Sequence, residues 1–274
     1  MISVQDMEIR IGARTLMSGV NFRVQKGDKI GLVGRNGAGK TTMTKILSGE
    51  GQPTNGKVSH SGSIGYLPQD PRAGDPEQLA MTRILNARGL GDIIERLNQA
   101  GIDMASDDPQ IHDTAMRRYS RLQEQFESAG GYAAEAEAAS IASNLGIENR
   151  ILQQPLKTLS GGQRRRVELA TILFSGADTL LLDEPTNHLD ADRVVWLRQF
   201  LKNYQGGLIV ISHDVELVED TVNKVFYLDA NRQVIDIYNM GWKQYLKQRE
   251  QDEQRRKRER QIAEQKASVL QRQA

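Results

Sequence analysis

Hydrophobic and polar positions along the chain fall into two rhythms. Short alternating runs broken by turn residues occupy the first 30 positions (IRIGARTL, VNFRVQKGDK) and predict strands and hairpins. KIGLVGRNGAGKTTMTKILSG then reads as strand, glycine-rich loop and helix. That helix starts near Gly39, carries Met43, Ile46 and Leu47 on one face and stops at Gly49. From about 78 to 146 the spacing turns helical. Ile111, Ala115, Tyr119, Leu122 and Phe126 recur at helical intervals, as do the alanines of YAAEAEAASIASNLG, and no strand-like run intervenes. This predicts a separate helical subdomain. Val167, Ala170, Thr171 and Phe174 follow at i, i+3, i+4 and i+7, an apolar stripe facing a core. TLLLDEP and GLIVISHD are instead continuous apolar runs ending in acidic or polar residues, as expected of parallel strands covered on both faces. Helices at about 190–204 and 215–222 separate these runs, which is βαβ logic, and KVFYLDANRQVIDIYNMG adds a hairpin. From Trp242 onward there is no Gly or Pro and little that is apolar after Leu246, so a long charged helix without an apolar seam of its own is expected.

Composition narrows the class. With 274 residues, 38% hydrophobic and 26% charged, the chain suits one large α/β domain or two small ones. No apolar run approaches the roughly 18 residues a membrane span needs, and MISVQDMEIR lacks the basic lead-in and apolar core of a signal peptide. The absence of cysteine excludes disulfide scaffolds and thiolate-bound zinc and fits a cytoplasmic location. The net charge of +1 conceals an asymmetry. Residues 247–274 hold nine Lys/Arg against five Asp/Glu, a surplus of four, while the remaining 27 basic and 30 acidic groups leave −3. A basic tail on a mildly acidic body points to a phosphate-rich partner or to a merely solvated helix.

Residues 34–41, GRNGAGKT, match G-x-x-x-x-G-K-[ST] between a predicted strand and a predicted helix, the context that gives this motif its meaning. Gly34, Gly37 and Gly39, with Arg35, Asn36 and Ala38 between them, turn backbone amides toward a phosphate, and the helix N-terminus adds partial positive charge. Lys40 reaches β- and γ-phosphates, Thr41 can ligate Mg²⁺, and Thr42 continues the first turn. LLLDEP supplies Asp183 at the end of a buried strand, suited to the Mg²⁺ side of a nucleotide site, and Glu184, suited to orienting an attacking water. His213 also follows a buried strand. A lone histidine there is more often structural, but ligands of α/β sheets gather at the carboxyl ends of strands, where the loop, Asp183/Glu184 and His213 all fall. From spacing alone Gln69 in YLPQD reads as a loop glutamine or as an amide oxygen beside the metal.

The order of P-loop, YLPQ, LSGGQ, LLLDEP and a histidine after the next strand resembles an ATP-binding cassette (ABC) ATPase over about residues 1–241. The fold thus implied is α/β, a P-loop NTPase with a mainly parallel sheet core, an antiparallel β subdomain and a helical subdomain. The resemblance implies ATP and Mg²⁺ as ligands, a Q-loop role for Gln69, a γ-phosphate contact for His213 and a D-loop at Leu189 and Asp190. It further implies that Ser160, Gly161, Gly162 and Gln163 act in trans, on ATP held by a second cassette. Ile11 stands about where the family places an adenine-stacking aromatic, so apolar contact with the base would remain while stacking is lost.

TNHLD, with Asn187 and His188 after the catalytic glutamate, resembles the ABC-F subfamily, whose members carry two cassettes and act in many cases on ribosomes as translation or antibiotic-resistance factors. The 91-residue interval from Gln69 to Ser160 leaves room for an arm-like insertion in a helical subdomain at about 77–176. Residues 242–274 resemble the start of an inter-cassette linker. That makes Arg255, Arg256, Lys257, Arg258 and Arg260 candidate RNA contacts. One P-loop and one LSGGQ suggest the first half of a longer chain, without membrane insertion. A transporter's ATPase subunit and a nucleotide-gated RNA-binding scaffold are the alternatives.

Overall fold

The computed structural model describes residues 1–69 and 75–273, apart from the side chains of 257, 260 and 263–273. The chain opens with β1 (Ile2–Ile11) and β2 (Arg14–Val24), continues through β3 (Lys29–Gly34) and helix α1 (Lys40–Ser48), and returns as β4 (Asn55–His60). β2, β1 and β4 form an antiparallel three-stranded sheet in that order. The larger sheet adds β5 (Ile64–Leu67), β6 (Thr179–Asp183), β7 (Gly207–Ile211), β8 (Lys224–Asp229) and β9 (Val234–Tyr238) to β3. Its order is β5-β6-β7-β3-β8-β9, parallel throughout except for the β8–β9 hairpin. Because β6, β7 and β3 are neighbours running the same way, the loops leaving their carboxyl ends come together. That places the segments after residues 34, 183 and 211 in one crevice.

The apolar runs of β6 and β7 are explained by cover on both faces. Leu180, Leu182, Leu208 and Val210 face one core, while Leu181, Ile209 and Ile211 face the other with β1, β2 and α1. Each successive side chain changes face, so a run with no polar position is the only one that buries both.

Between β5 and β6 lie α2 (Ala80–Leu85), α3 (Gly91–Asp103), α4 (Pro109–Ser128), α5 (Gly131–Asn144), α6 (Asn149–Leu152) and α7 (Gly161–Phe174), the helical region expected from the spacing. α3 and α4 pack on one another as a hairpin. Pro109 opens α4 and the Asp108 carboxylate accepts the Gln110 amide as its cap. The expected five-residue stripe is only partly buried: Ala115, Leu122 and Phe126 are covered, whereas Ile111 is exposed and Tyr119 half-buried.

α7 departs from expectation in the other direction. Its stripe is buried, but so are Arg165 and Glu168, because the helix is wedged between the sheet and α2 and α5. Glu168 meets Arg83 of α2 in a two-pronged pair, both contacts at 3.0 Å. Arg88 forms a second cross-link, donating to the Phe174 carbonyl at 2.7 Å and to Glu137 of α5, with its guanidinium 3.9 Å over the Phe174 ring.

After β6, helix α8 (Ala191–Asn203) starts at Asp190, whose carboxylate caps the Arg193 amide, and α9 (Val215–Thr221) starts likewise at Asp214. α10 (Trp242–Gln273) begins where the sequence suggested, but its first four turns are docked on the β8–β9 hairpin. Tyr245 is buried against Tyr238 and Trp242. Arg249 lies 3.5 Å over the Tyr227 ring and donates to the Tyr245 hydroxyl at 3.0 Å. Arg256 donates to Asp236 at 3.2 Å and Arg255 faces Asp252 and Glu259. Two of the five candidate RNA contacts are thus engaged within the chain, Arg258 is exposed, and the side chains of Lys257 and Arg260 lie outside the described residues.

Candidate nucleotide site

A cleft of about 560 Å³ opens at the carboxyl edge of the large sheet, lined by Ile11, Asn36, Gly37, Gly39, Lys40, Thr41, Thr42, Gln69, Asp183, Glu184, Thr186, Asn187, Ile211 and His213. Most of the expected site residues meet here. Gly34, Arg35 and Ala38 do not line it. Ala38 is packed into the core, and Gly34 is wedged so that a Cβ would meet the Leu228 carbonyl at 3.0 Å. Their contribution is the course of the backbone. Gly39 caps α1 at φ 95°, where an added Cβ would stand 2.7 Å from Leu16, so conformation and space both demand glycine.

Lys40 is already held at the phosphate end, its ammonium donating to the carbonyls of Gly34 at 2.9 Å and Arg35 at 3.3 Å. The Thr41 hydroxyl donates to the Asp183 carboxylate at 2.8 Å. Asp183 is 2% exposed, and burial pushes its carboxyl above the usual range against the pull of Thr41, Arg165 and Lys40. Among the described residues no three His, Asp or Glu side chains stand close enough to hold a metal ion by themselves. The donor set of Thr41, Asp183 and Gln69 is instead all oxygen and carries one carboxylate, which fits a hard cation that keeps waters and phosphate oxygens as its other ligands.

Glu184 is held in a conformation rare outside glycine, φ 50°, with its amide donating to the Ile211 carbonyl at 2.9 Å. Its carboxylate accepts the His213 amide at 3.3 Å and lies 3.5 Å from the ring Nε2 of His213. Burial raises its carboxyl also, with the hydrogen bond from the His213 backbone opposing. A shielded carboxylate with elevated proton affinity, aimed into a cleft, is suited to orienting water or taking its proton. The His213 side chain is 81% exposed, available to a ligand in the cleft. Ile11 stands exposed at the rim.

The LSGGQ residues are elsewhere. Ser160 caps α7 in a reciprocal box, its hydroxyl accepting the Gln163 amide at 3.2 Å and the Gln163 side chain accepting the Ser160 amide at 2.8 Å. Ser160 and Gly161 are exposed, Gly162 lies beside His188, and none of the four lines the cleft. The tip is a capped helix start that lies outside the cleft.

Sequence reasoning missed Arg165. It is 4% exposed, donates to the Asp183 carbonyl at 2.6 Å and the Glu184 carbonyl at 3.5 Å, and also bonds the Pro68 carbonyl just ahead of Gln69. A polar residue interrupting an otherwise enclosed helix is the one signal that would have flagged it.

Residues 17–187 match the family model described as ABC transporter. The tylosin resistance ATP-binding protein TlrC of Streptomyces fradiae is 34% identical over 94% of this chain and 47% of its own length. The energy-dependent translational throttle protein EttA of Mycobacterium tuberculosis is 34% identical over 81% of this chain and 39% of its own. The chain therefore spans less than half the length of either relative. Among solved structures, the dimeric post-hydrolysis ATP-binding cassette MJ0796 bound to ADP and Pi superposes with a TM-score of 0.59 at 19% identity, covering 88% of this chain and all of that one, a likeness of fold.

Proposed function

The chain belongs to the ATP-binding cassette family, and from that premise we propose that it forms the first of two cassettes in an ABC-F ATPase that works on the ribosome. The reaction is hydrolysis of the β–γ anhydride of ATP. Lys40 and the amides opening α1 bind the phosphates, Glu184 orients the attacking water, and His213 contacts the γ-phosphate from the rim. Thr41, Asp183 and Gln69 would hold Mg²⁺, which would neutralise charge developing on the phosphate oxygens. The observation that carries the reading is a division of parts. Lys40, Thr41, Gln69, Asp183, Glu184 and His213 line one cleft, while the residues of the signature tip of α7 lie outside it, with Ser160 and Gly161 exposed. A second cassette's LSGGQ would complete this site, and this chain's LSGGQ would complete the other.

The ribosomal assignment is supported by TNHLD, by the α3–α4 hairpin inserted ahead of α7, and by the names of the two relatives, one a translational throttle and one a tylosin resistance protein. No helix among the described residues is long and apolar enough to cross a membrane. The α3–α4 hairpin and the basic end of α10 are the surfaces proposed to meet RNA, in the cytoplasm. The test is Glu184→Gln in the full-length protein. ATP should remain bound while turnover falls by about two orders of magnitude or more. The variant should sediment with ribosomes when ATP is present. Sedimentation with membranes instead would favour a transporter subunit, and unchanged turnover would remove Glu184 from the mechanism.

A further inference from the structure

Three arginines, Arg164, Arg165 and Arg166, follow the signature glutamine. They do different things. Arg164 closes the loop ahead of α7 by donating to the Leu159 carbonyl at 3.2 Å. Arg166 lies near Arg193 and the capping Asp190. Arg165 points inward, and its guanidinium spans three backbone carbonyls drawn from two separate segments, those of Pro68, Asp183 and Glu184.

We propose that Arg165 is a positioning residue that ties the stance of the signature helix to the catalytic end of this chain's own nucleotide site. This rests on the two-cassette reading. A guanidinium is rigid, planar and rich in donors, so it fixes the relative placement of the carbonyls it joins. One of those carbonyls belongs to Glu184, whose left-handed backbone must be held by its surroundings. Another immediately precedes Gln69. Arg165 sits only five residues beyond Ser160 on the same helix. Docking of the α7 tip on a neighbouring cassette's ATP would therefore press on Glu184 and on Gln69 together, through one side chain. The three carbonyls that Arg165 joins belong to Pro68, Asp183 and Glu184, on the catalytic side of the cleft, and not to the phosphate loop. Loss of Arg165 should then leave ATP binding intact and disturb hydrolysis.

The experiment places Arg165→Met, Arg165→Gln and Arg165→Lys in the full-length protein, alone and with Ser160→Arg. ATP affinity, read with a fluorescent ATP analogue, should stay within about threefold of the unaltered protein, while kcat falls at least about tenfold for Met and Gln and less for Lys. Added to Ser160→Arg, the Arg165 substitutions should cost little more, because both act on one coupled unit. If Ser160→Arg slows turnover but Arg165→Met does not, the inference fails and the two-cassette reading stands. If Ser160→Arg leaves turnover unchanged, both fail. If all three Arg165 variants lose ATP binding and thermal stability in step, Arg165 is a residue of the fold alone and the inference is overturned.

Discussion

Asp183 carries opposite values for stability and for function, and Asp183→Asn should separate them. The carboxylate is 2% exposed and accepts a hydrogen bond from the Thr41 hydroxyl at 2.8 Å. Withdrawing one carboxylate from water costs several kcal/mol after relaxation, and a hydrogen bond to a charged group returns about 1.5–3 kcal/mol. With Lys40 and Arg165 contributing further attraction, an unfavourable balance on the order of 1–2 kcal/mol remains at neutral pH. Asparagine keeps an oxygen for Thr41 and removes the charge. Without nucleotide, the variant should melt higher at pH 7.5 by about 2–8 °C, taking about 2–4 °C per kcal/mol for a chain of this size. The sign with pH follows from the raised carboxyl. Between the unfolded and the folded pKa the native state binds the extra proton, so wild-type stability falls as pH rises through that window. The advantage of asparagine should shrink as the pH is lowered toward about 4, where the unfolded carboxyl itself protonates. Saturating Mg²⁺ and ATP should invert the order, since a ligand at about 100 times its Kd adds about 2.7 kcal/mol to the protein that binds it. Thermal melts followed by circular dichroism at pH 5–8, with and without MgATP, read all of this. A variant that melts below wild type at pH 7.5 without ligand would refute the idea that an ion-binding site is built at the expense of the fold.

Leu181→Ala, in the centre of β6 and fully buried toward α1 and β2, should cost about 2–5 kcal/mol in denaturant unfolding, with ATP affinity unchanged wherever the protein is folded. Tyr245→Ala should cost about 2–4 kcal/mol and expose the amides of residues 242–256 to hydrogen exchange; in the unaltered protein those amides should be protected together with the β8–β9 hairpin.

The nucleotide site was legible because its parts are local. GRNGAGKT specifies a loop whose glycines and lysine serve one phosphate cradle, and the short apolar runs before Asp183 and His213 suit strands buried on both faces. The parallel order of β6, β7 and β3 then brings their ends together without any further signal in the chain. What could not be read depends on distant partners. The carbonyls that Arg165 joins lie 97, 18 and 19 positions away, and every residue offers a carbonyl. α7 suggested a single apolar stripe because the pairing of Glu168 with Arg83, 85 positions apart, has no pattern in sequence. α10 looked like a free, solvated helix since its docking uses Tyr238, Arg249, Asp236 and Arg256, which by type belong to a surface. Ile111 and Tyr119 shared the spacing of buried positions, but the α3–α4 hairpin covers only part of that face.

In the proposed two-cassette arrangement, the LSGGQ of this chain lies outside its own cleft and serves the ATP of the other cassette. Steady-state ATP hydrolysis by Ser160→Arg in the full-length protein, measured beside its affinity for ATP, tests this directly. The side chain lies outside the cleft, so ATP should bind this cassette as before, while hydrolysis should fall at least about tenfold because an arginine blocks the neighbouring cassette's nucleotide from the α7 tip. Hydrolysis at the rate of the unaltered protein would mean that each cassette works alone, and would contradict it.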